Sequence, residues 1–225
     1  IIFQNPYSSL NPRMTVKKLI SEPLEHNFTL SKKEVSERVN IMIDKVGLSK
    51  EHLDRYPHQF SGGQRQRISI ARSIITNPKL VVADEPVSAL DVSIQSQILN
   101  VLMNLQNELG LTMIFISHDL NVVRRISNSI AVMYLGSIVE TGPTEDLFKL
   151  SLHPYTEALL SAVPSLDPLV KKHRTILKGE IPSPINPPIG CAFQSRCNRA
   201  MDICKEVKPS LKEVEKNHKV ACHLY

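Results

Sequence analysis

Two carboxylates stand side by side at Asp84-Glu85, directly after the apolar run Leu80–Ala83 and before Pro86, Ser88 and Ala89. A short apolar run bounded by turn signals suits a strand buried on both faces. Open parallel sheets place ligands at the carboxyl ends of such strands. One carboxylate there can hold Mg²⁺ through water, and its neighbour can orient or deprotonate a nucleophilic water. A solvated acidic turn is the plain alternative; the order of apolar run, two carboxylates, proline and small-residue loop weakens it. Phe60-Ser61-Gly62-Gly63-Gln64 precedes a helical pattern and supplies a hydroxyl, two side-chain-free amides and a helix N-terminus. Those groups suit a phosphate, although a capping serine before a glycine turn is common in any protein. Ser117-His118-Asp119 closes the next apolar stretch. Alone, His118 reads as a buried structural histidine; beside Asp84-Glu85 it becomes a contact for a transferring phosphoryl group.

The elements that must position these residues follow from hydrophobic periodicity. Ile1–Phe3 reads as the end of a strand, and Gln4–Pro12, rich in Pro, Asn and Ser, as a loop. From Val16 to about Leu53 the pattern is helical, with Val35, Val39, Met42, Ile43 and Val46 at three- and four-residue spacing and Gly47 as a closing residue. A loop over Tyr56–Gln64 leads to a helix over about Arg65–Ile75, which Asn77-Pro78 breaks. After the strand ending at Asp84, the residues Ile94, Ile98, Val101, Leu102, Leu105 and Leu109 mark one face of an amphipathic helix. Thr112–Ser117 is a second strand expected to be buried, a short helix starts near Leu120, and Ile130–Leu135 with Ser137–Glu140 forms a hairpin around Gly136. Alternating strand and helix predict an α/β domain with a parallel sheet over residues 1–152, carrying a helical lobe at about 13–77. Beyond Leu152 the Pro content rises and periodicity fades, so residues 153–225 read as an appended region.

Together these pieces resemble the nucleotide-binding subunit of an ATP-binding-cassette (ABC) transporter. Gln4 stands where that family has its Q-loop glutamine, Ser61–Gln64 matches the signature motif, and Leu80–Glu85 the Walker B strand. Ser88-Ala89-Leu90-Asp91 matches the D-loop and His118 the switch histidine. The resemblance implies ATP and Mg²⁺ as cofactors, with Asp84 and Gln4 coordinating the metal, Glu85 polarising water and His118 contacting the γ-phosphate. Because two subunits of that family sandwich ATP, it also implies that Ser61, Gly62, Gly63, Gln64 and Asp91 serve nucleotide at the shared interface. One departure is large: the phosphate-gripping G-x-x-x-x-G-K-[ST] loop is missing, and none of the eight glycines is followed by Lys. With a start at Ile1 in mid-strand, without Met or a signal-peptide layout, the expectation is a piece of a longer catalytic subunit, inactive on its own.

The stretch from Phe3 to Arg13 (FQNPYSSLNPR) resembles the Q-loop of bacterial oligopeptide and dipeptide importers. So does the tail, where His153-Pro154-Tyr155-Thr156, Gly179-Glu180-Ile181-Pro182-Ser183-Pro184, Gly190-Cys191 and Arg196-Cys197 occur in order. Nickel and glutathione importers share parts of this pattern. The resemblance implies a second ATPase subunit, two transmembrane permeases and, indirectly, an extracytoplasmic peptide-binding protein as partners, with the chain at the cytoplasmic face of the membrane. No apolar run is longer than Ile130–Leu135, far short of the ~18–20 residues of a membrane span. Residues 1–170 carry 16 basic and 17 acidic side chains, residues 171–225 carry 11 and 5, so the net charge of +5 resides in the tail. A basic tail could serve an ABC ATPase acting on nucleic acid or the ribosome, but only Phe193 and Tyr225 are there to stack on bases, and no nucleic-acid partner is expected. Cys191, Cys197, Cys204 and Cys222 all lie in this tail, spaced C-x5-C-x6-C-x17-C. They leave three readings: free thiols, zinc, or a [4Fe–4S] cluster. The cluster is the leading expectation, because the resemblance implies one, carried by some peptide importers at this pattern, and because four cysteines within residues 191–222, in a region poor in regular secondary structure, imply that something other than a hydrophobic core organises it.

Overall fold

A computed structural model describes residues 1–163, 175–177 and 179–225; part of the basic stretch at 171–178 lies outside the described residues. The chain divides into two compact units, Ile1–His118 and Asp119–Tyr225.

In the first unit a short helix α1 (Pro6–Ser9) is followed by α2 (Val16–Asn27), α3 (Lys32–Lys45) and α4 (Gly62–Ile74). The single long helical reading from Val16 breaks at Phe28–Ser31, because Ser31 caps α3 through a reciprocal box with Glu34. Strand β1 (Leu80–Asp84), helix α5 (Val92–Leu109) and strand β2 (Thr112–Ile116) form a parallel β-α-β unit, with Leu80 opposite Thr112 and Asp84 opposite Ile116. On the other edge of β1, Ile2 bridges Ala83 in parallel: the Ile2 amide donates to the Val82 carbonyl and the Asp84 amide to that of Ile2. Three parallel segments therefore end on one side, delivering Gln4, Asp84-Glu85 and His118 to the same edge.

Burial of β2 is less complete than its apolar sequence suggests. Val81 and Ala83 of β1 are buried, but Ile114 and Ile116 are about half exposed (50% and 46%). Exposure alternates along β2, so one of its faces is open among the described residues. An all-apolar strand does not reveal how many faces its neighbours will cover.

The second unit holds α6 (Leu120–Ile126), the hairpin β3 (Ser129–Tyr134) and β4 (Ser137–Pro143), α7 (Thr144–Lys149), α8 (Pro154–Ser161), α9 (Ile203–Glu206) and a second hairpin of β5 (Lys212–Glu215) and β6 (His218–Val220). Strand order is β3-β4-β6-β5, so the tail returns to pair with β4. Both residues of the first turn, Leu135 and Gly136, have positive φ, as a two-residue hairpin of matching twist requires. The tail hairpin escaped the periodicity reading because Lys212–Glu215 is exposed throughout and has no apolar face to show.

Phe193 is buried against Val123, Ile130, Val132, Val139 and Leu147, and its ring meets Tyr134 and Tyr155 at centroid distances of 5.2 and 5.4 Å. Glu140 is fully buried and supplies the polar centre. Its Oε1 accepts from the Leu152 amide (2.7 Å) and His218 Nε2 (2.8 Å), and its Oε2 from the His153 amide (3.0 Å). His153 in turn caps α8 by accepting from the Tyr155 amide at Nδ1.

Burial, with Arg199 adding to it and Glu140 opposing, pushes the His153 imidazole down to about 4. The unfolded chain takes up that proton near pH 6.5, whereas the folded unit resists it. Stability therefore rises with pH across this window: the contribution is complete above about 6.5 and is lost as pH falls toward 4, amounting to about 3 kcal/mol. His153→Asn keeps a capping acceptor and removes the titration. Chemical denaturation of the full-length protein at pH 7 and pH 5 should show a smaller acid loss in the variant than in the wild type; equal losses would exclude His153 as the titrating group.

Candidate functional site

Gln4, Glu85 and His118 meet at the carboxyl ends of the first unit's parallel segments. Glu85 Oε2 accepts from Gln4 Nε2 at 2.6 Å, and Oε1 from His118 Nδ1 at 2.9 Å. The His118 bond, above all, holds the Glu85 carboxyl below the usual carboxylate range. Its backbone is in the left-handed region (φ 43°), uncommon for a residue that is neither Gly nor Asn. The Glu85 amide donates to the Ile116 carbonyl, and the Ser88 amide and hydroxyl donate back to the Glu85 carbonyl, so the strained turn is held from both sides. His118 is exposed, with 73% of its side chain accessible, which overturns the reading of a buried structural histidine.

Asp84, the last residue of β1, is exposed. A single exposed carboxylate at a strand end suits Mg²⁺, which is commonly held by one or two carboxylates with phosphate oxygens and water completing its shell. Asp84 thus fits the metal that the resemblance implies, and Gln4 lies against the neighbouring Glu85.

The serine-glycine segment builds a second locus. Ser61 is the N-cap of α4: its Oγ accepts from the Gln64 amide, and Gln64 Oε1 accepts from the Ser61 amide. The helix starts at Gly62, three residues earlier than periodicity indicates, because Gly62 and Gly63 carry no side chain to register in it. Gly63 also answers to packing, since a Cβ there would lie 2.5 Å from Ile94 Cγ2. Ile94 belongs to the first turn of α5, whose N-cap is Asp91, accepting from the Ile94 amide at 3.0 Å. That bond, first, and the Ser93 hydroxyl hold the Asp91 carboxyl low. The structure therefore gathers Gln4, Glu85 and His118 in one place and Ser61–Gln64 beside the start of α5 in another. Ser88, read from sequence only as part of the D-loop match, tethers the Glu85 turn, and Arg65, described below, was not among the site residues singled out from sequence.

For the cysteines the structure lends the cluster expectation no support. Among the described residues no group of three or more His, Cys, Asp or Glu side chains is placed to hold a metal ion. Burial, reinforced by the neighbouring cysteines, pushes the Cys191, Cys197 and Cys222 thiols up. The premise that no hydrophobic core organises the tail is wrong: Phe193 and the β4–β6 pairing order it.

The family described as "ABC transporter" matches residues 1–88, and that described as "Oligopeptide/dipeptide transporter, C-terminal region" matches residues 139–204. The chain is 55% identical to the dipeptide transport ATP-binding protein DppF of Haemophilus influenzae, over 99% of this chain and 68% of that protein. It is also 55% identical to DppF of Escherichia coli (95% and 64%) and 54% identical to the oligopeptide transport ATP-binding protein OppF of the same organism (99% and 67%). The chain thus spans about two thirds of the length of these relatives. Among solved structures, cbiO1 of Clostridium perfringens, part of the ABC transporter complex cbiONQ, superposes with a TM-score of 0.60 at 30% identity, over 66% of this chain and 58% of that one. The dimeric ATP-binding cassette MJ0796 bound to ADP and Pi superposes with a TM-score of 0.56 at 30% identity, over 64% and 61%.

Proposed function

The chain belongs to the ATP-binding subunits of ABC-type dipeptide and oligopeptide transporters, and from that membership we propose that it hydrolyses ATP to energise import of short peptides across the cytoplasmic membrane. The observation that carries the reading is Glu85, held ionised between Gln4 and His118 at the end of β1.

In this reading residues 1–152 handle nucleotide and residues 153–225 are the importer-type extension. Asp84 and the side-chain amide oxygen of Gln4 would hold Mg²⁺, which when bound would neutralise charge developing on the phosphates. Glu85 orients the attacking water and accepts its proton as the water oxygen bonds to the γ-phosphorus and the bond to the bridging β–γ oxygen breaks. His118 donates to Glu85 from Nδ1, and to donate to a γ-phosphoryl oxygen from Nε2 as well its ring must carry a proton on both nitrogens. Ser61, Gly62, Gly63 and Gln64 cap the nucleotide of a partner ATPase subunit with amides and a hydroxyl at a helix N-terminus, and Asp91 sets the α5 start against them. Among the described residues no helix is long and apolar enough to cross a membrane, which fits a peripheral subunit docked on two permeases at the cytoplasmic face.

The full-length protein should co-purify from membranes with two permeases. In vesicles carrying that complex, a peptide-loaded binding protein should stimulate ATP hydrolysis several-fold. Recovery with ribosomes or nucleic acid, and hydrolysis indifferent to the binding protein, would favour the soluble ATPase alternative. Stimulation by nickel- or glutathione-loaded binding protein in place of peptide would reassign the cargo.

A further inference from the structure

We propose that Arg65 is a positioning residue that ties the Gln4 loop to the serine end of α4, so that the two phosphate-facing segments of this subunit respond to ATP as one body. The inference rests on the ATPase reading above and adds to it a residue outside the nucleotide contacts. Arg65 makes both stacking and in-plane contacts within the first unit. Its guanidinium lies over the Tyr7 ring at 4.1 Å from the centroid. In its own plane, Nε donates to the Pro57 carbonyl at 2.7 Å and Nη2 to the His58 carbonyl at 3.4 Å. Its backbone amide donates to the Ser61 carbonyl, closing the first turn of α4.

Each contact leads somewhere relevant. Tyr7 sits in α1, three residues after Gln4, and its amide donates to the Asn5 side chain that caps this helix. Proline at the start of α1 fixes the path between Gln4 and Tyr7 further. The turn Pro57–Gln59 runs through Phe60 directly into Ser61. A shift of Gln4 is therefore passed to Tyr7, from there to a guanidinium locked by two carbonyls, and so to the segment that presents Ser61. Arg72 makes a parallel tie about two turns further along α4, from Nη1 to the Ser9 carbonyl at 3.0 Å and from Nη2 to Glu22 at 2.9 Å. Stacking and in-plane donation at once need a planar fork, which lysine lacks.

The test is the ATP-concentration dependence of hydrolysis by the full-length protein in its transporter complex. Arg65→Ala should raise half-saturating ATP about five- to tenfold and lower the Hill coefficient toward 1, because the two segments no longer report to each other. Arg65→Lys should not restore either value. Tyr7→Leu, at an exposed position that tolerates the change, should raise half-saturating ATP about two- to fivefold, the range of an exposed cation–π contact, while Tyr7→Phe keeps the ring and should match the wild type. The double variant Arg65→Ala/Tyr7→Leu should be no worse than Arg65→Ala alone. A purely structural staple would lower the melting temperature with half-saturation and Hill coefficient unmoved, and that outcome, or additive single effects, overturns the proposal. A wild-type complex that hydrolyses no ATP would instead remove the ATPase reading and the proposal with it.

Discussion

Glu85→Gln in the full-length protein should cut ATP hydrolysis by on the order of 10²–10⁴ while leaving ATP binding intact, since general-base assistance is worth about that much. Glutamine preserves length and planarity but removes the proton acceptor. It also cannot accept from both sides: the carboxylate takes a hydrogen bond from Gln4 on one oxygen and from His118 on the other, and an amide must turn its NH₂ toward one of these donors. Nucleotide should then be held without turnover, and a two-subunit species should accumulate in gel filtration with ATP. Ser61→Arg provides the contrast. It places bulk and positive charge where the partner's phosphates would sit, so hydrolysis should fall because the two-subunit species no longer forms. Identical behaviour of the two variants would mean that Glu85 and Ser61 do not divide the work as proposed, and normal turnover by Glu85→Gln would remove the residue from the chemistry.

The meeting of Gln4, Glu85 and His118 was legible in sequence because it depends on local order. An apolar run followed by two carboxylates states where a parallel strand ends, and a serine, two glycines and a glutamine state where a helix begins. Those signals survive without knowledge of the fold, and the structure brings the ends of β1 and β2 and the Gln4 segment together as parallel strands must. What sequence could not show is which partners a side chain acquires at long range. Gly63 reads as an exposed amide, yet Ile94, 31 residues away, fills the space beside it. The cysteine cluster reads as the organiser of a coreless tail, whereas one aromatic, Phe193, carries that role by inserting among residues of β3 and β4. Glu140 gave no signal either, since a lone carboxylate after Ile138-Val139 looks like a solvated strand residue. Only tertiary structure shows that two amides and a histidine converge on it.

That convergence makes Glu140→Ala the substitution with the largest expected cost to stability. Removing one partner of a buried, hydrogen-bonded pair typically costs about 3–5 kcal/mol, a large part of the ~5–15 kcal/mol that holds a typical domain together. Here the loss would strand several groups at once. The Leu152 and His153 amides lose their acceptor, and His218, 1% exposed, loses the partner of Nε2 when its Nδ1 already has none among the described residues. The site is also shaped for the imidazole, since a Cβ on Gly142 would lie 3.0 Å from His218 Cδ2. Glu140→Gln should cost less than alanine, because it keeps one acceptor oxygen while turning an NH₂ toward a donor. His218→Ala leaves the carboxylate two amide donors and should be milder as well. The double variant Glu140→Ala/His218→Ala should fall short of the sum of the singles, as expected for residues that share one interaction. Urea unfolding of the full-length protein, with limited proteolysis to locate cleavage in residues 119–225, reads these differences directly. Should Glu140→Ala shift the transition by less than about 1 kcal/mol, or the two singles simply add, the pair is not what fastens the C-terminal hairpin to β4.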